Sequence, residues 1–486
     1  MNTGELPDWP DVFRAGWRVR RMQAKLHRWA ADDPGRVFND LFNLVWHPDL
    51  LTVAWDRVRG NKGARTAGVD RVVPRFISGM DTVAFLAQVR ELVKSRTFSP
   101  LPVRERLIPK AGQPGRFRRL GIPTAVDRLV QASLKLVLEP IFEADFKPVS
   151  YGFRPGRRAQ DAVAEVIYLA SNSRNYHWVF EADIKACFDE LSHSAIMARV
   201  RRRIADKRVL ALIKAFLHAG IMAEGGQVRT STTGTPQGGI LSPLLANIAL
   251  SALDEHFCAK WDAHGTEWRR RVHRQRGGAT FRIVRYADDF VIMVRGSKAH
   301  AEALREEVSD VLAPLGLCLS EAKTRVCHID EGLDFLGFRI QRHTKRGTSH
   351  RYVYHYPSKK ALASITGKVR AITNGARHQT LTDLLRELNA ALRGWCNYFR
   401  YGPSYATFKY LDAFTWRRVT LWLRKRHKGI TWKTLYRRFL TGTPKGRPEE
   451  TGMALYLAQE TGTTLYRWRG HHIPSPWTMP STEEAT

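Results

Sequence analysis

The spacing of apolar and polar positions changes several times along the chain, and each change predicts an element. Residues 10–60 carry apolar positions at helical spacing, and the Gly-rich stretch RGNKGARTAGVD then reads as a loop. A helix is predicted over 81–95. After it, SPLPVRERLIPKAGQPGRFRRLGIP, punctuated by Pro and Gly, predicts strands joined in a hairpin. Leu129, Leu134, Leu136, Val137 and Ile141 give an apolar face to a helix over 124–143. HWVFEADIKACF reads as a strand, 193–220 as helices, and TTGTPQGGILSP as a loop entering a helix over 243–257. FRIVRYADDFVIMV, residues 281–294, reads as a hairpin, followed by a helix over 299–313 and the strand-like LDFLGFRI. Beyond that the pattern is helical and basic to about 440, and the tail from 441 is rich in Thr, Gly and Pro.

Two of the apolar strands are interrupted by carboxylates. Asp288 and Asp289 stand side by side between apolar runs, and Asp183 interrupts WVFEADIKACFDEL. Adjacent carboxylates repel, and burying one without a partner costs several kcal/mol or forces it to protonate. Asp is also a common turn residue, which alone would account for a hairpin tip. Neighbouring antiparallel strands would bring all three acids to one sheet edge. Such a cluster suits Mg²⁺, which takes one or two carboxylates and completes its octahedron with phosphates and water. Two such ions, about 3.5–4 Å apart, would activate a 3′-hydroxyl and stabilise a leaving pyrophosphate.

Charge sharpens the picture. The 486 residues include 78 Lys and Arg against 46 Asp and Glu, a net charge of +32 with a pI near 10.4. Such an excess opposes compaction unless a polyanion neutralises it in use. Residues 335–382 hold ten basic residues and no acid, and residues 413–447 hold eleven and no acid. The second stretch is interleaved with Phe414, Trp416, Trp422, Trp432, Tyr436 and Phe439, and a third cluster of six lies between Arg14 and Arg28. Arginines in these blocks suit phosphates, whereas the tryptophans, with Trp395 and Phe399, are read mainly as core. No apolar run reaches the roughly 18–20 residues of a membrane span. The N-terminus lacks the apolar segment of a secretory signal, and five cysteines without a CxxC predict free thiols and no zinc site.

DIKACFD, TPQGGILSPLLANIAL, RYADDF, LGLCLSEAKT and FLGF, in that order, resemble successive motifs of the reverse transcriptase palm. LIPKAGQPGRFRRLGIPTAVDRLVQ and SYGFRPGRRAQDAV resemble the fingers blocks of group II intron reverse transcriptases, and LNAALRGWCNYFRYG resembles their maturase-specific thumb, domain X. The resemblance implies an α+β, right-hand polymerase with fingers, a palm built on an antiparallel sheet, a helical thumb and a small basic C-terminal segment. It divides the chain into a basic helical extension (1–80), fingers and palm (81–345), thumb and domain X (346–430), and a short basic DNA-binding-like segment with the tail (431–486).

The same resemblance assigns roles. Asp183, Asp288 and Asp289 would be catalytic and hold two Mg²⁺ ions. Lys110 and Arg118 would contact the dNTP triphosphate, and Phe188 would exclude a 2′-hydroxyl. Gln237 would pack against template and nucleotide, and Lys323 would protonate pyrophosphate. The implied partners are group II intron RNA, an RNA template with a DNA primer, target DNA and dNTPs, with no membrane, in a bacterial cytoplasm or nucleoid. The last cysteine is Cys396, so the HNH endonuclease of many family members, usually carrying paired cysteines, is not expected. The primer would then come from elsewhere, for example a nascent strand at a replication fork. Two alternatives share the motifs: a non-catalytic RNA-binding splicing factor, and a free-standing relative serving defence or repair.

Overall fold

A computed structural model describes residues 9–78, 80–109, 115, 117–223, 225–230, 232–375, 380–442 and 446–478. Its strands, in chain order, begin with β1 (Val103–Pro109), β2 (Phe117–Ile122), β3 (Trp178–Asp183), β4 (Ile221–Met222) and β5 (Val228–Arg229). There follow β6 (Thr280–Tyr286), β7 (Asp289–Arg295), β8 (Arg325–His328), β9 (Leu333–Phe335), β10 (Phe338–Thr344) and β11 (Arg351–Pro357). The described residues form two compact units, one drawn from Met1–Arg158, Phe180–Val326 and Arg469–Thr486, the other from Ala159–Val179 and Cys327–Trp468.

In the first unit, the helices Val12–Asp32, Pro48–Gly60 and Ala125–Asp145 pack against one another through their apolar faces. The Asp11 side chain caps the first helix and Thr124 the third, each accepting orphan N–H groups of the first turn. Arg128 is buried and donates to the carbonyls of Pro123, Gly63 and Thr66, which fixes the Gly-rich loop onto the third helix. The predicted hairpin is present: β1 and β2 pair antiparallel, with Ile108 opposite Arg118, in a sheet of order β2-β1-β4-β5. A second sheet has the order β6-β7-β3-β8. Here β6 and β7 pair antiparallel with Tyr286 opposite Asp289, so Ala287 and Asp288 form a two-residue turn. Ala287 takes φ 59°, the positive value a tight hairpin demands at its first turn residue.

The second unit is mainly helical. Its Lys359–Gly375 helix packs on both Leu381–Phe399 and Tyr405–Arg426. Phe399 and Phe408 are buried, and the Trp395 ring lies 4.6 Å and 6.1 Å from theirs, so this aromatic group is core. Part of the Thr/Gly/Pro-rich tail, residues 449–461, packs against these helices. Asp412 accepts from the Ala458 and Gln459 amides, and Asn389 exchanges hydrogen bonds with Ala454 and Tyr456. Among the described residues no helix is long and apolar enough to cross a membrane.

Several elements differ from the sequence expectation, each for a physical reason. LDFLGFRI is two strands rather than one, because Leu336 and Gly337 turn the chain at φ 50° and 81°. The region after it is not helical at first: β10 runs on to Thr344 and pairs antiparallel with β11. The alternation in RYVYHYP is a strand signal, obscured by the surrounding basic residues. The helix expected over 299–313 is broken into Lys298–Glu302 and Leu304–Leu312. Two helices were not expected from the sequence. Ala159–Ala170 is buried around most of its surface, and Glu267–Gln275 buries no residue.

The deepest polar feature lies at the end of β6. Arg285 and Asp254 have no exposed surface. The guanidinium donates through Nε to Asp254 Oδ1 at 2.8 Å and through Nη2 to Asp254 Oδ2 at 2.5 Å. Its remaining protons go to Asn247 Oδ1 at 3.0 Å, Ser150 Oγ at 2.9 Å and the Ala287 carbonyl at 2.9 Å. Arg154, also buried, pairs with Glu143 and donates to the Lys147 and Ser150 carbonyls, holding the segment that supplies Ser150. Removing one member of a buried pair leaves an uncompensated charge. Arg285→Ala should therefore cost about 3–5 kcal/mol of unfolding free energy, read as a lower urea midpoint; an unchanged midpoint would contradict this account.

Candidate functional site

Asp183 is the last residue of β3, and the chain beyond it is anchored at once. Ser320 N donates to the Asp183 carbonyl at 2.8 Å and Lys185 N to the Cys318 carbonyl at 3.0 Å. That pairing brings the 3₁₀ turn Glu321–Lys323 over the strand end. Lys323 Nζ then donates to Asp183 Oδ2 at 2.6 Å. Ala186, at φ 43°, turns the chain into the short helix Cys187–Glu190. Cys187 points into the core, where burial first and the Asp288 charge second push its thiol up to about 12. Phe188 is half-buried and lines a cleft, so it is not a plain core residue.

The TPQGG loop closes one side of that cleft. Thr235 N donates to the Phe188 carbonyl at 2.6 Å, and Gly121 N, on β2, donates to the Gln237 carbonyl at 2.7 Å. Gly238 adopts φ 113°, and a Cβ there would lie 2.7 Å from the Gly121 carbonyl oxygen, so only glycine allows this approach. The open cleft, of about 950 Å³, is lined by Arg118, Asp183, Phe188, Gln237, Asp288 and Lys323 among others. Six of the eight residues singled out from the sequence therefore share one cavity. Asp289 is exposed and not part of the lining, and Lys110 lies outside the described residues.

Electrostatics distinguish the adjacent acids. Burial raises the Asp288 carboxyl above its usual range and the Asp183 charge raises it further, while Lys323 and Arg118 oppose the shift. Asp289 keeps exposed surface, yet the protein packed behind it and then the charges of Asp288, Asp183 and Glu181 push its carboxyl up to about 6. This is a site with surplus negative charge that a cation would relieve. Among the described residues, no group of three or more His, Cys, Asp or Glu side chains could hold a metal ion. The donor set that does face the cleft, Asp183 and Asp288, matches the one or two carboxylates from which Mg²⁺ is held when substrate phosphates and water supply the rest.

Sequence reasoning passed over the residues that hold the Asp288 turn. A charged residue inside the apolar strand FRIVRY and polar Asn247, Ser251 and Asp254 along one face of the helix Ser242–Ala263 were the available signals. Asn247 bridges Arg285 and the Gly152 carbonyl, donating to the latter at 2.8 Å. Gly152 backs directly onto the turn, where a Cβ would overlap the Ala287 amide.

Comparison with known proteins gives the following. Residues 108–340 match the family model described as reverse transcriptase (RNA-dependent DNA polymerase). Residues 362–440 match that of the group II intron, maturase-specific domain. Protein YkfC of Escherichia coli (strain K12) is 36% identical over 375 residues, covering 72% of this chain and 97% of that protein. Group II intron-encoded protein LtrA of Lactococcus lactis subsp. cremoris is 28% identical over 468 residues, covering 82% of this chain and 76% of that protein.

The close packing behind the turn is testable on its own. Gly152→Ala should destabilise the protein by about 1–3 kcal/mol, the usual cost of overpacking, measured by urea unfolding; unaltered stability would mean that Gly152 does not constrain the turn.

Proposed function

We propose a reaction and a set of residue roles on one premise: the chain belongs to the family of group II intron reverse transcriptases that carry a maturase domain. It is an RNA-directed DNA polymerase with a right-hand polymerase fold. The observation that carries the proposed site is the meeting of Asp183 and Asp288, 105 positions apart in sequence, in one cleft with Arg118 and Lys323.

In this reading Asp183 and Asp288 hold two Mg²⁺ ions, and Asp289 adjusts the charge of the site from outside the cleft. When bound, the metal lowers the pKa of the primer 3′-hydroxyl and neutralises charge building on the leaving pyrophosphate. Arg118 faces the cleft from β2 and holds triphosphate oxygens, with Lys110 assigned to the same task. Phe188 places its ring where a ribose 2′-hydroxyl would stand. Gln237, fixed through its own carbonyl to β2, borders the incoming base and template. Lys323 neutralises Asp183 before substrate enters, and its ammonium donates a proton to pyrophosphate as that group leaves.

The second activity is maturase function, in which the chain binds its parent intron RNA and stabilises the fold in which that RNA splices itself. The maturase-specific match over 362–440 and the two acid-free basic stretches support it. Target DNA is the partner this reading adds for intron mobility.

Primer extension on poly(rA)/oligo(dT) with Mg²⁺ tests the site. Asp288→Ala should abolish dTMP incorporation while changing RNA affinity by less than about twofold, since one cleft carboxylate contributes no phosphate contact; equal loss of both would place the chemistry elsewhere. Phe188→Ala should admit ribonucleotides, with discrimination falling by about 100-fold, a few kcal/mol of lost steric exclusion. Unchanged sugar selectivity would remove Phe188 from that role.

A further inference from the structure

The sheet β9-β10-β11 has two unlike faces. Phe338, Ile340 and His355 are buried on one. On the other, the antiparallel register sets Tyr356 opposite Arg339, Tyr354 opposite Gln341 and Tyr352 opposite His343. Three tyrosines at alternate positions of one strand therefore form a ladder. Tyr352 is 49% exposed, Tyr354 and Tyr356 are half-buried, and His343 is exposed. The His343 ring lies 6.1 Å from that of Tyr354 and 6.4 Å from that of Tyr356, the latter pair tilted by only 29°. A ladder that only stabilised the hairpin would not need to leave its outermost ring in solvent.

Charge says what the face accepts. Among the described strand residues of this face, the acid is Asp334 on β9, paired with Arg339 at 3.3 Å, while the exposed Glu331 before β9 meets Arg339 through its carbonyl. At the hairpin end, Lys345 and Arg346 are exposed, beside Arg351, which pairs with Asp330 at 3.4 Å. The polar rims of the rings and these two cations complement a polyanion that carries flat aromatic groups.

We propose that this face is a stacking platform for unpaired bases of RNA. Tyr352 and Tyr354 take the bases, with His343 beside them, and Lys345 and Arg346 take the adjacent phosphates. Stacking on an open ring requires a base free of its own helix, so the face selects single-stranded or looped RNA and tolerates any sequence. The choice of RNA over another single-stranded polyanion rests on the family reading above; the geometry of the platform does not.

The test is direct binding, by fluorescence anisotropy, of labelled oligo(A) and of a blunt RNA duplex to the full chain. Tyr352→Leu with Tyr354→Leu should weaken oligo(A) binding about tenfold or more, while Tyr352→Phe with Tyr354→Phe retains it and duplex binding stays constant in both. Unchanged oligo(A) affinity in the leucine variant overturns the proposal. So does an equal loss on duplex in a variant with a normal melting curve. The wild-type chain gives an independent reading: saturating oligo(A) should protect Tyr352 from nitration by tetranitromethane, and undiminished nitration overturns the proposal even if the leucine variant does not fold. Because neither measurement uses catalysis, a failure of primer extension would count against the polymerase site alone.

Discussion

A guanidinium with no exposed surface, two residues before the turn that carries Asp288, is the constraint on which this site depends. Arg285 saturates its donors on Asp254, Asn247, Ser150 and the Ala287 carbonyl. The four partners come from three pieces of chain: Asn247 and Asp254 from the helix Ser242–Ala263, Ser150 from the SYGF segment and Ala287 from the turn itself. The turn needs such support. Ala287 holds a positive φ without being glycine, a conformation that costs about 1–3 kcal/mol and persists where its surroundings impose it. The clamp thus links a buried ion pair, which a packed apolar core would not require, to the placement of one carboxylate at the cleft.

The same logic redistributes the charge that dominates the composition. Arg128, Arg154 and Arg285 are buried and bonded to internal oxygen acceptors, so they serve the fold rather than a polyanion. The arginines of the fingers-like blocks divide between internal ties, at Arg128 and Arg154, and exposed positions such as Arg118. The excess available for nucleic acid is therefore carried by surface positions, among them Lys345 and Arg346 beside the tyrosine ladder.

Much of the site was legible because its chemistry violates the local pattern. Carboxylates inside apolar strands, at Asp183 and Asp288, stand out against a period-two background, and glycines in TPQGG mark a close backbone approach. That Asp288 lines the cleft and Asp289 does not follows from hairpin register, with Tyr286 opposite Asp289, which no count of residues supplies. The Arg285 clamp was hidden for the opposite reason: its partners lie 31, 38 and 135 positions away, and each alone is an ordinary polar residue. Composition also misled. The basic residues around β10 and β11 suggested helix, although the alternation in RYVYHYP carried the strand and, with it, the exposed tyrosine face.

The proposed metal site joins Asp183 and Asp288 to the substrate phosphates. The most direct measurement is anomalous diffraction at the manganese edge, from crystals of the chain with an RNA template, a DNA primer and an incoming nucleotide, Mn²⁺ replacing Mg²⁺. Manganese peaks in contact with both carboxylates, with Lys323 drawn away from Asp183, are the expected result. An ordered template, primer and nucleotide with no manganese between Asp183 and Asp288 would contradict it.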